Sequence, residues 1–172
     1  MRHLHLLALL PLIACSSEQA DDAGSANAGG ENAAASEQLD ALRAHVAELE
    51  ASAEHDEQQI EVQHILISFG NKVPGATRSQ AEAEALAADL YAQIQEGADF
   101  DALVREHTND SHPGIYGMHK NGTQPSIAGS RPRSGMVPAF GNVGWRLQVG
   151  EVGVAAFSAG SPYGWHLVKR TR

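Results

Sequence analysis

The chain has 172 residues, which is room for one ordinary domain and a tail but not for two full domains. Aromatic residues make up only 5% of it, so a core must rest on Leu, Ile, Val and Ala. The net charge of −9 is uneven: residues 16–61 carry twelve acids against Arg43 alone, whereas residues 111–172 carry seven Lys and Arg against Glu151 alone. The basic residues are dispersed and not interleaved with aromatics, which speaks against nucleic-acid binding, and the single cysteine, Cys15, rules out an internal disulfide.

Residues 1–14 have the layout of a secretory signal. Arg2 leads, an apolar run from Leu6 to Ile13 follows, and small residues come next. The run is shorter than the ~20 apolar residues a bilayer crossing needs. Leu12-Ile13-Ala14-Cys15 resembles the bacterial lipobox, in which the cysteine becomes the first mature residue and carries lipid. The alternative is a plain secretory signal with an incidental thiol. Ser16 after the cysteine, by resemblance to Gram-negative lipoproteins, favours a place in the cell envelope, anchored to the outer membrane and facing the periplasm. Residues 15–35 contain no Leu, Ile, Val or aromatic side chain and read as a flexible tether.

Residues 36–59 read as a spacer helix. Leu39, Leu42, Val46 and Leu49 form a narrow stripe, with Ser36 as N-cap. The stripe spans barely two heptads. It suits a helix that packs on the domain or stands alone, with a weak dimer through residues 36–59 as the alternative.

The folded unit is expected over residues 60–172. Residues 60–69 are rich in β-branched and apolar types and predict a central strand covered on both faces. Ser79-Gln80-Ala81-Glu82 has capping-box spacing and opens a helix with Leu86, Leu90 and Ile94 as its buried stripe and Gly97 past its end. Asp99 caps a shorter helix burying Phe100, Leu103 and Val104. Residues 109–135 read as irregular, Pro138 to about Trp145 as a short helix, Val152–Phe157 as a strand, and Gly164–Arg170 as a last strand. The order predicts a small α+β domain of about 110 residues.

Six segments in this order resemble the parvulin family of peptidyl-prolyl cis/trans isomerases. They are Val62-Gln63-His64-Ile65-Leu66; residues 99–104 followed by His107-Thr108-Asn109-Asp110; Gly114-Ile115-Tyr116-Gly117; Met136-Val137-Pro138-Ala139-Phe140; residues 147–152; and Tyr163-Gly164-Trp165-His166-Leu167-Val168. Three departures stand out. Ile115 replaces the family's acidic residue, Thr123 to Ser134 is an insertion, and residues 159–161 lengthen the last hairpin. The resemblance implies a small antiparallel sheet surrounded by helices, and a non-covalent isomerase acting on proline-containing unfolded or exported polypeptides. Leu66, Met136 and Phe140 would line a proline slot. His64 and His166 would form a buried pair on adjacent strands, with Asp110 near the substrate carbonyl and Ser158 supporting His166. No cofactor is implied. His107, His112 and His119 with Asp110 invite a zinc reading, but helical His-x-x-x-His and Cys/His finger spacings are absent, so no metal is expected. Arg131 and Arg133 in the insertion are candidates for acidic ligands or for plain solvated loop charges. Two functions stand open on the sequence: an active isomerase, and a binding module that keeps the fold without useful catalysis. A structural envelope lipoprotein acting through the spacer helix is a third.

Overall fold

The computed structural model describes residues 24–172, with side chains from residue 30 onward. The expected signal segment and Cys15 lie outside the described residues. Four helices and five strands follow in chain order: α1 Gly24–Ala51, β1 Gln59–Ser68, α2 Gln80–Gln95, α3 Phe100–His107, β2 Ile115–His119, β3 Arg131–Pro132, α4 Pro138–Gly144, β4 Val152–Ala155 and β5 Gly164–Arg170. They form an α+β fold around one sheet of order β3-β2-β1-β5-β4. All neighbours pair antiparallel except the two-residue β3, which runs parallel to β2.

β1 lies at the centre and organises both cores by its period of two. Its odd residues Ile65 and Ile67 join Leu42, Leu90, Phe100, Val104 and Trp165 beneath α1, α2 and α3. Its even residues Ile60 and Val62 join Met118, Phe140, Trp145 and Val168 beneath α4. Burial on both faces is why the strand lacks sustained polar alternation.

The capping signals at Ser79 and Asp99 hold. Ser79 and Glu82 form a reciprocal capping box at α2, and Asp99 accepts from the Ala102 amide at α3. The buried face of α2 differs from expectation: Ala83, Ala87, Ala88 and Leu90 are fully enclosed, while Leu86 and Ile94 sit at the flank. Small alanines let α2 lie close to the sheet, and the larger Leu86, Tyr91 and Ile94 pack, half-buried, against the margin of the same core.

Three segments differ from the sequence reading. Residues 24–35, expected as tether, are helical, and α1 passes straight through Ser36. The Ala33-Ala34-Ala35 run has the highest helix propensity and carries the helix back from the stripe. The spacer helix stops at Ala51 and not near residue 59, leaving residues 52–58 as a strap. Residues 109–135, expected to be irregular, contain β2 and β3. Tyr116 and Met118 alternate on one face opposite Val62 and Ile60, a short strand masked by Gly117 and His119.

α1 docks on the domain. Leu39, Leu42 and Val46 pack into the core shared with α2, whereas Leu49, one turn further on, packs into the core beneath α4. The helix therefore crosses the end strand β4 and shields an edge that would otherwise offer unpaired backbone groups. The stripe offered for a dimer through residues 36–59 is thus covered within the chain. The strap is then held by charge: Glu54 pairs with Arg133 and Arg146, Asp56 with Lys120, and Glu57 with Arg170. Part of the charge asymmetry seen in the sequence is spent in these contacts.

Leu42 is 1% exposed. Leu42→Ala is expected to lower unfolding stability by about 2–4 kcal/mol in urea titration. A change under ~0.5 kcal/mol would mean that α1 is not docked in solution.

Candidate active site

Strand parity decides which side chains meet. On β1 and β5 the even residues face α4. The register pairs Leu66 with His166 and His64 with Val168, so the two histidines are diagonal neighbours on one face. Both are 4% exposed. Their imidazoles close the diagonal, stacked with centroids 5.3 Å apart and Nδ1 to Nδ1 at 3.2 Å. The Phe140 ring stands at 69° to the His64 ring, 5.0 Å away, and 5.4 Å from that of His166.

The third polar group arrives on the turn after α3. The amide of Leu66 and that of Asp110 both donate to Thr108 Oγ1, the Ser68 amide donates to Asn109 Oδ1, and the Asn109 amide donates to the Leu66 carbonyl. These bonds occupy the free flank of β1 beyond its pairing with β2, and they present Asp110 Oδ2 to His64 Nε2 at 3.1 Å. Tyr116 donates its hydroxyl to the same oxygen at 2.7 Å. Gly114 makes the close approach that leads into β2. Its φ is +66°, and a Cβ there would sit 2.7 Å from the His64 carbonyl oxygen.

The charges follow from these contacts. The His64 hydrogen bond, reinforced by Tyr116 and the Ser111 amide, outweighs burial and holds the Asp110 carboxyl far below the usual carboxylate range. Burial, then the Asp110 hydrogen bond, pushes the Tyr116 hydroxyl up to about 12. Burial first and His64 second push His166 down to about 3 against the pull of Asp110, so His166 is neutral. The carboxylate orders the protons. His64 Nε2 donates to the carboxylate, the two Nδ1 atoms share one hydrogen-bond contact, and His166 Nε2 is buried with no partner among the described residues.

In front of the pair lies a cavity of about 290 Å³. Leu66, Met136, Val137 and Phe140 supply its apolar wall, Val73 and Tyr163 its outer lip, and Asp110, His64, Tyr116 and Arg131 its polar side. The volume falls at the small end of ligand pockets (about 300–1,000 Å³), which suits a single residue with an adjoining peptide bond. A larger depression of about 560 Å³ lies between α1, α2 and the start of β4, lined by His45, Tyr91, Glu48 and Glu151. None of the expected site residues reaches it, so it is set apart from the histidine pair.

The structure thus brings His64, His166, Asp110, Leu66, Met136 and Phe140 to one cavity. It does not bring Ser158. β4 ends at Ala155, and the Phe157 ring packs against Phe69 and Trp165 on the opposite face of the sheet, which carries Ser158 into the hairpin. There its backbone pairs with Ser161, and it makes no bond to His166 among the described residues. The buried serine of the hairpin is Ser161, whose hydroxyl donates to the Gly164 carbonyl. Tyr116, Val73, Val137 and Tyr163 also line the cavity, although no individual role for them is expected from the sequence. The Tyr116/Met118 alternation was the signal available for Tyr116, whereas nothing local marks the lip residues. His107, His112 and His119 are dispersed, the latter two on Asp101 and Ser130.

Residues 44–172 match the family described as the PPIC-type PPIase domain, and the chain belongs to that family. It is 31% identical over 111 residues to the chaperone SurA of Pseudomonas fluorescens, covering 64% of this chain and 22% of that one. It is 32% identical over 108 residues to the chaperone SurA of Chromohalobacter salexigens, covering 63% and 21%. The chain spans about a fifth of the length of these curated relatives. The crystal structure of PrsA from Bacillus subtilis matches with a TM-score of 0.40 and 16% identity over 87% of this chain and 50% of that one.

His166 accepts a proton readily in the unfolded chain and only near pH 3 in the fold. The unfolded state therefore binds the extra proton between those values, and stability is full above pH 6.5 and falls as pH drops. Between pH 7 and pH 5 the native protein is expected to lose about 2 kcal/mol more than His166→Asn in urea titrations. Equal losses would mean that His166 is not held neutral.

Proposed function

We propose that the chain is a peptidyl-prolyl cis/trans isomerase that assists the folding of exported proteins at the cell envelope. The observation that carries this reading is the buried His64–His166 pair, tied to Asp110, behind an apolar cavity built by Leu66, Met136 and Phe140. Family membership supports it.

Rotation about a peptide C–N bond faces a barrier of about 18–20 kcal/mol because conjugation must be broken. A catalyst needs no covalent bond to lower it. It must hold the proline ring and disfavour the planar, charge-separated amide relative to the twisted one. The Phe140 ring and the Met136 and Leu66 side chains offer a dry surface for the pyrrolidine. Met136 adapts its shape and Phe140 presents a flat face. The planar amide is the more polar state, so a poorly hydrated slot penalises it more than the twisted one. The Asp110 carboxylate, held ionised by His64 and Tyr116, puts fixed negative charge on the polar side. There it opposes the build-up of charge on a planar carbonyl oxygen. The histidine pair holds this geometry; it is not arranged as a nucleophile with its base. We place Cys15 as the lipidated residue, which would hold the domain at the outer membrane facing the periplasm.

The chaperone designation of the relatives supports a second reading, a binding module that grips polypeptides without turnover. An isomerisation assay on short Xaa-Pro peptides separates the two, since exchange at the uncatalysed rate leaves only binding. For an active enzyme, Phe140→Ala is expected to lower kcat/KM at least tenfold by opening the slot. Because Phe140 is also core, with about 3–5 kcal/mol at stake, Met136→Ala serves as the milder variant, expected to raise KM in a protein whose melting is checked alongside. Undiminished activity in both would remove this wall from the site. Cys15→Ala is expected to move the protein from the membrane to the soluble fraction, and unchanged sedimentation with membranes would refute the anchor.

A further inference from the structure

The insertion at residues 123–134 is built onto the domain. Gln59 clamps Ser126 from both sides, its Nε2 donating to Ser126 Oγ at 2.6 Å and its Oε1 accepting from the Ser126 amide at 2.7 Å. Ser130 Oγ bonds His119 Nδ1 at 3.0 Å, and the Ser134 amide donates to Asn121 Oδ1. Gly117 lets the insertion lie flat: a Cβ there would stand 3.1 Å from Ile127 Cγ2 and 3.3 Å from Ser130 Cα. The segment then adds β3 beside β2, pairing Arg131 with Met118. The following Pro132 fixes the backbone at φ −61°.

The insertion delivers two arginines, and they have different fates. Arg133 is consumed: both its terminal nitrogens bond Glu54 at 2.7 Å, one also bonds Asn142, and the guanidinium stacks 4.9 Å from the Trp145 ring. Arg131 makes no ion pair and no side-chain hydrogen bond among the described residues, and it lines the cavity in front of the histidine pair. The acid that lines the same cavity, Asp110, already accepts from His64, Tyr116 and the Ser111 amide. Arg131 stands close enough to Tyr116 to favour ionisation of its hydroxyl. The cavity thus has one uncommitted cation on its rim, offered by a segment stitched in place.

We infer that Arg131 is a specificity-determining residue of the site, and that the insertion carries it there to receive the carboxylate of an acidic residue beside the substrate proline. This rests on the isomerase reading of the same cavity. A guanidinium on a fixed strand can meet a carboxylate through two parallel N–H bonds. At a rim open to water such a pair gives modest discrimination that weakens with salt.

The test uses the full chain and a series of short peptides with Glu, Ala or Lys before proline, measuring both kcat/KM for isomerisation and Kd. The native protein is expected to prefer Glu over Lys by about three- to fivefold in low salt, with the ratio shrinking towards one at 1 M salt. Arg131→Ala is expected to abolish the ratio and Arg131→Glu to invert it. A flat native series, or a Glu preference that survives Arg131→Ala, overturns the inference while the isomerase reading stands. Absence of turnover on every peptide, with a Glu preference in Kd that Arg131→Glu inverts, removes catalysis and upholds the role of Arg131. Absence of both turnover and binding overturns both.

Discussion

The contact between the two Nδ1 atoms of His64 and His166 requires that both imidazoles sit on the even face of neighbouring strands in one register. A slip of one residue between β1 and β5 would send one ring into the opposite core and expose a buried isoleucine or tryptophan in exchange. The register is therefore locked by Ile65, Ile67, Trp165 and Leu167 on the odd face as firmly as by the site itself. The core beneath α1 to α3 thus holds the chemistry on the other side of the sheet in place.

From that lock the polar arrangement follows in one direction. Asp110 is ionised because His64 and Tyr116 bond it, His64 is oriented because Asp110 takes its Nε2 proton, and His166 stays neutral because it is buried beside His64. Low dielectric makes each of these bonds stronger and each missing partner more costly. His166 Nε2, at the end of the chain of bonds, is buried without a hydrogen-bond partner among the described residues. The apolar wall then excludes water from the same place, since Phe140 covers both rings.

The periphery is organised by charge as much as by packing. α1 shields the β4 edge through leucines, and the strap after it is fastened by Glu54, Asp56 and Glu57 to basic residues of the domain. Arg133 links this strap to the segment that carries Met136 and Phe140, so the wall of the cavity leans on residues that precede the first strand. Because these pairs are partly exposed, each contributes little alone; their value lies in fixing where the segment runs.

Local chemistry alone settled the elements with strong signatures. The capping box at Ser79, the Asp99 cap, Pro138 at the start of α4 and the apolar run of β1 were all readable because each depends on residues within a few positions. The candidate pair His64 and His166, with Asp110 and the wall of Leu66, Met136 and Phe140, was legible through ordered motif resemblance. The strands at 115–119 and 131–132, the helical run before Ser36, the displacement of Ser158 and the contrasting fates of Arg131 and Arg133 were not. The helical run is carried by the alanines at 33–35, but each of the others is decided by a partner distant in sequence: β1 recruits Tyr116 and Met118 by pairing, Phe69 and Trp165 draw Phe157 to the other face, and of the two arginines in the insertion Glu54 claims Arg133 and leaves Arg131 uncommitted. Propensity and capping act within a turn of chain, whereas pairing, burial and ion contacts are settled only when the sheet brings separate segments together.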